Sequence, residues 1–340
     1  MRKYIAICVA AIVATAIMIF RQTGDAPAVY RTASGVVWHT TYNITYESSR
    51  DLGDSIIAVT NGIDMSASMF NPRSVLSRIN SNSSNCADSM VAKLLARSIE
   101  ISHETGGAFD PTIAPLMRLW KTQDTMAALP GKAAIDSVMQ FVGIDKVKLD
   151  GGGRVTKSDS RLQLDFNAIA KGHGCDEVAR MLARNGVTNY LVEIGGEITA
   201  AGVNERGLPW RVSVDLPVES NDTVTHSSAL TLQIGKGGIA TSGNYRNYKI
   251  VDGRKVAHII DPRTGYTAAS NLLSTTVIAP DCMNADAYAT ALMVMGLDQA
   301  REFATSRQDD LSVVLIYADD KGQLNVWRSP GVAKYEQPGR

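Results

Sequence analysis

LDFNAIAKGHGC, residues 164–175, follows an alternating Arg161-Leu162-Gln163 and decides how this chain is read. Period-two alternation predicts a strand ending near Asp165. The spacing from Lys171 to Arg184, closed by Asn185-Gly186, predicts a helix with a glycine stop. A strand would then deliver a carboxylate, a lysine and free backbone amides to the start of a helix. Such a place suits a phosphate, because unpaired N–H groups and the positive dipole end face outward while Gly172 and Gly174 let a ligand come close. The competing reading is an ordinary strand-to-helix turn with solvated charges. The stretch has neither P-loop spacing nor a G-x-G-x-x-G fingerprint.

Outward from this unit, alternation and β-branched content predict a first strand over 35–46, and helical spacing predicts helices over 55–70, 88–105 and 132–142. The polar group Ser74, Ser77, Arg78 and Asn80 reads as a capped loop. Beyond the centre, 190–194 and 197–200 flank Gly195-Gly196, a hairpin signal or a close backbone approach to a ligand. Strands follow at 210–216, 229–234, 238–242 and 272–278, with hairpins over 249–260 and 311–327. A helix over 284–295 ends at Gly296. Helices lie before and between antiparallel hairpins, so the fold class is α+β, with two interlocked α/β parts and mostly antiparallel sheets. No composition break divides residues 29–340, which read as a single domain.

Residues 1–28 read as a signal anchor or signal peptide: Arg2-Lys3, an apolar run over 4–20, then Arg21. Ala26-Pro27-Ala28 is a small-x-small cleavage candidate, and Cys8 follows Ile7 where a lipoprotein signal has a small residue. Residues from about 30 onward are therefore expected on the periplasmic side of the inner membrane, anchored or exported. With 45% apolar residues the chain can bury a substantial core. Lys+Arg 34 against Asp+Glu 34 gives no net charge, which argues against a nucleic-acid binder. Beyond the apolar run, Cys86, Cys175 and Cys282 have no C-x-x-C spacing and point to neither a zinc site nor a disulfide framework.

Asp286 and Thr290 are four apart in a predicted helix, so their oxygens share a face. With Asn284 as cap, Asp286 reads as a dipole complement and Thr290 as a filler; the same pair also offers the hard ligands Mg²⁺ accepts. His258, late in a strand before Asp261-Pro262, reads either as a structural histidine or as a proton-transfer group. Among five histidines its rival is His173, in the central turn.

Six ordered motifs, GAFDPT (107–112), DFNAIAKG (165–172), EIGGE (193–197), ATSGNY (240–245), HIIDPRTG (258–265) and NADAYAT (284–290), resemble the ApbE family over roughly residues 34 to 335. Members are FAD:protein FMN transferases. The resemblance implies Mg²⁺-dependent cleavage of the FAD pyrophosphate, with FMN passing as a phosphoester to a Thr or Ser hydroxyl of a partner flavoprotein and AMP leaving. It implies metal ligands at Asp286, Thr290 and the carbonyl of Ala168. FAD contacts are implied at Phe70, Ala108, Phe109, Asp110, Asp165, Lys171 and the backbone of Ile260, and catalytic roles at His258, the proton acceptor, and at Asp165. With an N-terminal membrane segment, the acceptors would be exported subunits of membrane redox complexes. The chain departs from the family pattern at Trp38-His39 (usually Met-Gly), Phe70 (commonly Tyr) and Asn244 (commonly Asp), and it has no lipobox. The alternatives are an FAD pyrophosphatase, with water as acceptor, and a non-catalytic periplasmic FAD-binding protein.

Overall fold

The computed structural model describes residues 28–122, 129–216, 228–243, 248–251, 254–257, 259–268 and 270–336. A hairpin of β1 (Val29–Val37) and β2 (Thr40–Ser48) leads into α1 (Gly53–Ala67), α2 (Val75–Asn80), α3 (Ser89–Glu104), α4 (Ala114–Thr122) and α5 (Lys132–Met139). Short strands β3 (Val147–Leu149) and β4 (Val155–Lys157) precede α6 (Ala170–Arg184). Next come β5 (Tyr190–Ile194), β6 (Glu197–Ala201), β7 (Trp210–Asp215), β8 (Ser228–Ile234), β9 (Lys236–Gly243), β10 (Tyr248–Val251), β11 (Arg254–Ala257) and β12 (Leu272–Ala279). Helices α7 (Cys282–Met295) and α8 (Leu297–Ser306) and the hairpin β13 (Ser312–Ala318) to β14 (Leu324–Arg328) follow.

Eight strands form one sheet in the order β1-β2-β5-β6-β9-β12-β13-β14, and every neighbouring pair is antiparallel. Alternation along the strands separates two faces. On one, Val277, Val313 and Leu315 pack with α3 and α7, while Ile44 and Val192 pack with α1 and α6. On the other, Ala200, Ile239, Ile278 and Val314 pack against Trp210, Val212 and Leu232 of the separate β7–β8 hairpin. The mixed, mainly antiparallel class is as the sequence implies.

Helix α7 lies deepest. Most of its residues are buried, Asp286 among them, and its alanines 285, 287, 289 and 291 bring neighbouring backbones close. Its first turn is wedged between two glycines. A Cβ on Gly172 of α6 would stand 2.2 Å from the Cys282 carbonyl oxygen, and one on Gly238 of β9 would stand 2.1 Å from the Cys282 nitrogen. Water cannot satisfy the first amides there, so side chains do. Asp176 of α6 accepts from Cys282 N (3.0 Å) and Met283 N (2.9 Å), and Asp281 accepts from Asn284 N (2.9 Å). The cap of this helix is thus Asp281, not Asn284.

Three local expectations are corrected. Residues 162–166 are extended but join no sheet: Leu162, Leu164 and Phe166 are buried, which produces the alternation. Their backbone instead pairs with the Asn80 side chain, which accepts from Leu164 N (2.7 Å) and donates to Leu164 O (2.8 Å). The single strand expected over 35–46 is a hairpin that turns at Trp38 and His39. Both have positive φ (49° and 60°), a turn usually marked by Asn-Gly. The polar group 74–80 is not a loop but helix α2, capped by Ser74 Oγ accepting from Ser77 N at 2.9 Å.

The expected signal anchor occupies residues that lie, but for Ala28, outside the described ones. No helix among the described residues is long and apolar enough to cross a membrane.

Because the Cys282 backbone and the Asp286 Cβ of α7 occupy the space a Cβ on Gly172 would need, Gly172→Ala is expected to lower unfolding stability by about 3 kcal/mol or more, read from urea melts. Gly235→Ala, where a Cβ meets nothing within 4 Å, is expected to change it by less than about 1 kcal/mol.

Candidate active site

The segment 108–113, the approach to α6, the β5–β6 turn, the end of β9, residues 259–262 and α7 line a cavity of about 600 Å³. That volume lies in the range of small-molecule and cofactor sites. Ala108, Phe109, Asp110, Asp165, Ala168, Lys171, Ile260, Asp286 and Thr290, all singled out in the sequence, line it together. Phe70 does not: it is 63% exposed, with its ring edge-on to His39 at 6.3 Å between centroids. His258 and Asn244 lie outside the described residues; Ile259 and Ile260, which follow His258, are in the wall.

Charge concentrates at one end of this cavity. Lys171 Nζ is 2.5 Å from Glu197 Oε1 and 3.8 Å from Asp286 Oδ1. Burial alone would depress the Lys171 ammonium, but the charges of Asp286 and Glu197 outweigh it and hold it above the ordinary lysine value. One ammonium faces two buried carboxylates, so negative charge is in excess. Burial and the neighbouring Asp286 push the Glu197 carboxyl up to about 8, and burial also raises Asp286. Glu197 Oε2 is buried without a hydrogen-bond partner. Asp286 Oδ2 accepts from Gly172 N at 3.0 Å, and the Thr290 and Ser242 hydroxyls are 3.2 Å apart.

This donor set fits a hard divalent cation. Asp286 and Thr290 present a carboxylate and a hydroxyl to the cavity, Ala168 also lines it, and the orphaned carboxylate oxygen and surplus negative charge call for a cation. Among the described residues no three His, Cys, Asp or Glu side chains gather around a metal position.

Several sequence readings change. Gly172 and Gly174 do not admit a ligand: Gly172 meets the α7 backbone, and a Cβ on Gly174 would stand 2.5 Å from the Trp38 ring. Asp110 lines the cavity, yet its carboxylate is engaged locally, accepting from Thr112 N (2.8 Å), Thr112 Oγ1 (2.7 Å) and Ile144 N (2.8 Å). Asp165 Oδ1 accepts from Asn167 N at 2.7 Å, which folds the turn that presents Ala168. His173 is 1% exposed and not in the wall, and burial, with Lys93 and Arg180 nearby, lowers it to about 3. It is neutral and cannot serve the cavity as a base. Glu197 and Ser242 received no role from the sequence, although both sit inside the EIGGE and ATSGNY motifs. Ser213 and Asp215 of β7 also line the cavity and carried no sequence signal.

The model of the ApbE family matches residues 38–315. The FAD:protein FMN transferase of Haemophilus influenzae is 35% identical over 307 residues, 85% of this chain and 87% of the relative. That of Escherichia coli K12 is 31% identical over 305 residues, 87% of this chain and 85% of the relative. Among solved structures, the flavin transferase ApbE from Vibrio cholerae superposes with a TM-score of 0.80 at 32% identity, over 91% of this chain and all of that one. The apo flavinyl transferase ApbE of Pseudomonas stutzeri gives 0.81 at 28% identity, over 92% and 98%.

The Glu197 shift carries a pH signature. A carboxyl raised from 4.5 to about 8 keeps its proton in the fold after the unfolded chain has lost it. Its contribution is complete below about 4.5 and is lost as pH rises through about 8. His173 works in the opposite sense, but only below its ordinary 6.5. Cation-free protein is therefore expected to lose stability between about pH 6.5 and 8, and Glu197→Gln to flatten that slope in denaturant titrations under chelator. An unchanged slope in the variant would assign the proton elsewhere.

Proposed function

This chain belongs to the ApbE family, and from that membership we infer its activity: it is an FAD:protein FMN transferase, with FAD as substrate and a flavoprotein as FMN acceptor. The observation that carries this into the structure is convergence. Nine residues spread from Ala108 to Thr290 line a single cavity, with a charged lysine and a surplus of carboxylate at one end.

The finer assignments are our reading of that cavity. Asp286, Thr290 and the Ala168 carbonyl would hold Mg²⁺, which when bound supplies charge neutralisation on the pyrophosphate oxygens. Lys171 presents a permanently charged ammonium to the same oxygens, and the Lys171–Glu197 contact keeps it from swinging away. Phe109, Ile260 and the nearby Met117 give apolar surface suited to an aromatic ring. Asp165 acts by fixing the turn that presents Ala168. The acceptor Oγ forms a bond to the FMN phosphorus as the bond to AMP breaks, and the acceptor proton goes to a base. His258, adjacent in sequence to the cavity-lining Ile259, is the residue we assign to that role. The charge and hydropathy pattern of residues 1–28 supports a domain held on the periplasmic side of the inner membrane, with exported subunits of membrane redox complexes as acceptors.

Incubation with FAD, Mg²⁺ and an exported flavoprotein subunit is expected to add FMN to one Thr or Ser, seen by intact mass and in-gel fluorescence. Asp286→Ala should abolish the adduct with the fold retained. His258→Ala should bind FAD yet lose transfer by roughly 10²–10⁴-fold. Free FMN without adduct would favour the hydrolase, and normal transfer by His258→Ala would refute the base. For localisation, a phosphatase reporter fused after Arg340 is expected to be active; an inactive fusion of normal abundance would place the domain in the cytoplasm.

A further inference from the structure

We infer that Asp176, which lies outside the cavity, is a positioning residue for its cation site. The inference rests on the assignment of Asp286 and Thr290 as cation ligands. Those ligands sit on α7, whereas Lys171 lies in the first turn of α6 and Ala168 in the turn just before it, so the site exists only if the two helices meet in one register. The Asp176 carboxylate sets that register. Its Oδ1 accepts from Cys282 N (3.0 Å) and from Thr199 Oγ1 (2.8 Å), and its Oδ2 accepts from Met283 N (2.9 Å). Both its oxygens are occupied, it is 6% exposed, and it ties together α6, α7 and β6. Those three elements carry Lys171, Asp286 and Glu197.

The link is reciprocal. An α6 carboxylate takes α7 amides, and an α6 amide, Gly172 N, donates to the α7 carboxylate of Asp286 at 3.0 Å. Met283 is three residues before Asp286 and so lies on the same side of α7, one turn away. A displacement of the first turn is therefore passed to the Asp286 carboxylate. The Lys171–Glu197 contact depends on the same arrangement, because Thr199 holds β6 against Asp176 two residues beyond Glu197.

Asp176→Asn preserves size but puts an NH₂ where an acceptor was. Oδ1 must serve Cys282 N and Thr199 Oγ1, so the amide nitrogen turns toward Met283 N–H and repels it. The test is Mn²⁺ titration of the full chain without FAD, followed by electron paramagnetic resonance, alongside thermal melts. Wild type is expected to bind one Mn²⁺ that Asp286→Ala does not. Asp176→Asn should weaken its dissociation constant about tenfold, the usual effect of losing an outer support of a metal ligand, and added Mg²⁺ should recover transfer. Should Asp176→Asn fail to fold, Thr199→Val removes one leg only and should weaken Mn²⁺ binding severalfold. A lowered melting temperature with wild-type Mn²⁺ affinity, in either variant, would overturn the inference. No Mn²⁺ uptake by wild type would instead overturn the cation assignment itself.

Discussion

The buried start of α7 is the constraint on which the site depends. Gly172 and Gly238 allow backbone to press on Cys282 from two sides, which excludes water from amides that no helix can satisfy internally. An unpaired buried amide costs about 1–3 kcal/mol, so acceptors must come from elsewhere in the chain, and Asp176 and Asp281 provide them. Satisfying these donors fixes α6 against α7. That contact in turn brings Lys171, Asp286 and, through Thr199, Glu197 to one end of the cavity.

The electrostatics of that end follow from the packing. Two buried carboxylates share one partly exposed ammonium, and Glu197 Oε2 has no donor. Buried charge without a partner is unfavourable, and the raised Glu197 carboxyl is the local response. A site in this condition gains from a cation and from the donors of a ligand. Its preorganisation is maintained by the rest of the fold at some cost to the ligand-free state.

Other conspicuous residues serve the walls rather than the chemistry. Asp110 spends its carboxylate on Thr112 and Ile144, so GAFDPT is held in shape and its Ala108 and Phe109 are presented to the cavity. Trp38 and His39 occupy a hairpin turn with positive φ, and the Trp38 ring lies over Gly174. The departure from the family pattern at these positions is thus absorbed by packing against α6, and His39 meets Phe70 outside the cavity wall.

The sequence by itself determined the class of fold, which is written in local terms, and picked out most of the residues that the fold brings to one cavity. Alternation and helical spacing marked most elements, and the i, i+4 placement of Asp286 and Thr290 held because both lie inside α7. Motif order was enough to identify the nine residues that share the cavity. Tertiary structure alone decided what each backbone and carboxylate was paired with. The strand reading of 162–166 failed because a buried alternating face needs only an acceptor and a donor, and the Asn80 amide provides both from 84 residues away. Gly172 looked like a ligand-facing glycine because a close approach has the same signature whichever body approaches. Asp176, an unremarkable helix residue in the sequence, became the clasp between α6 and α7 through contacts more than a hundred residues distant, a separation at which periodicity and local propensity carry no information.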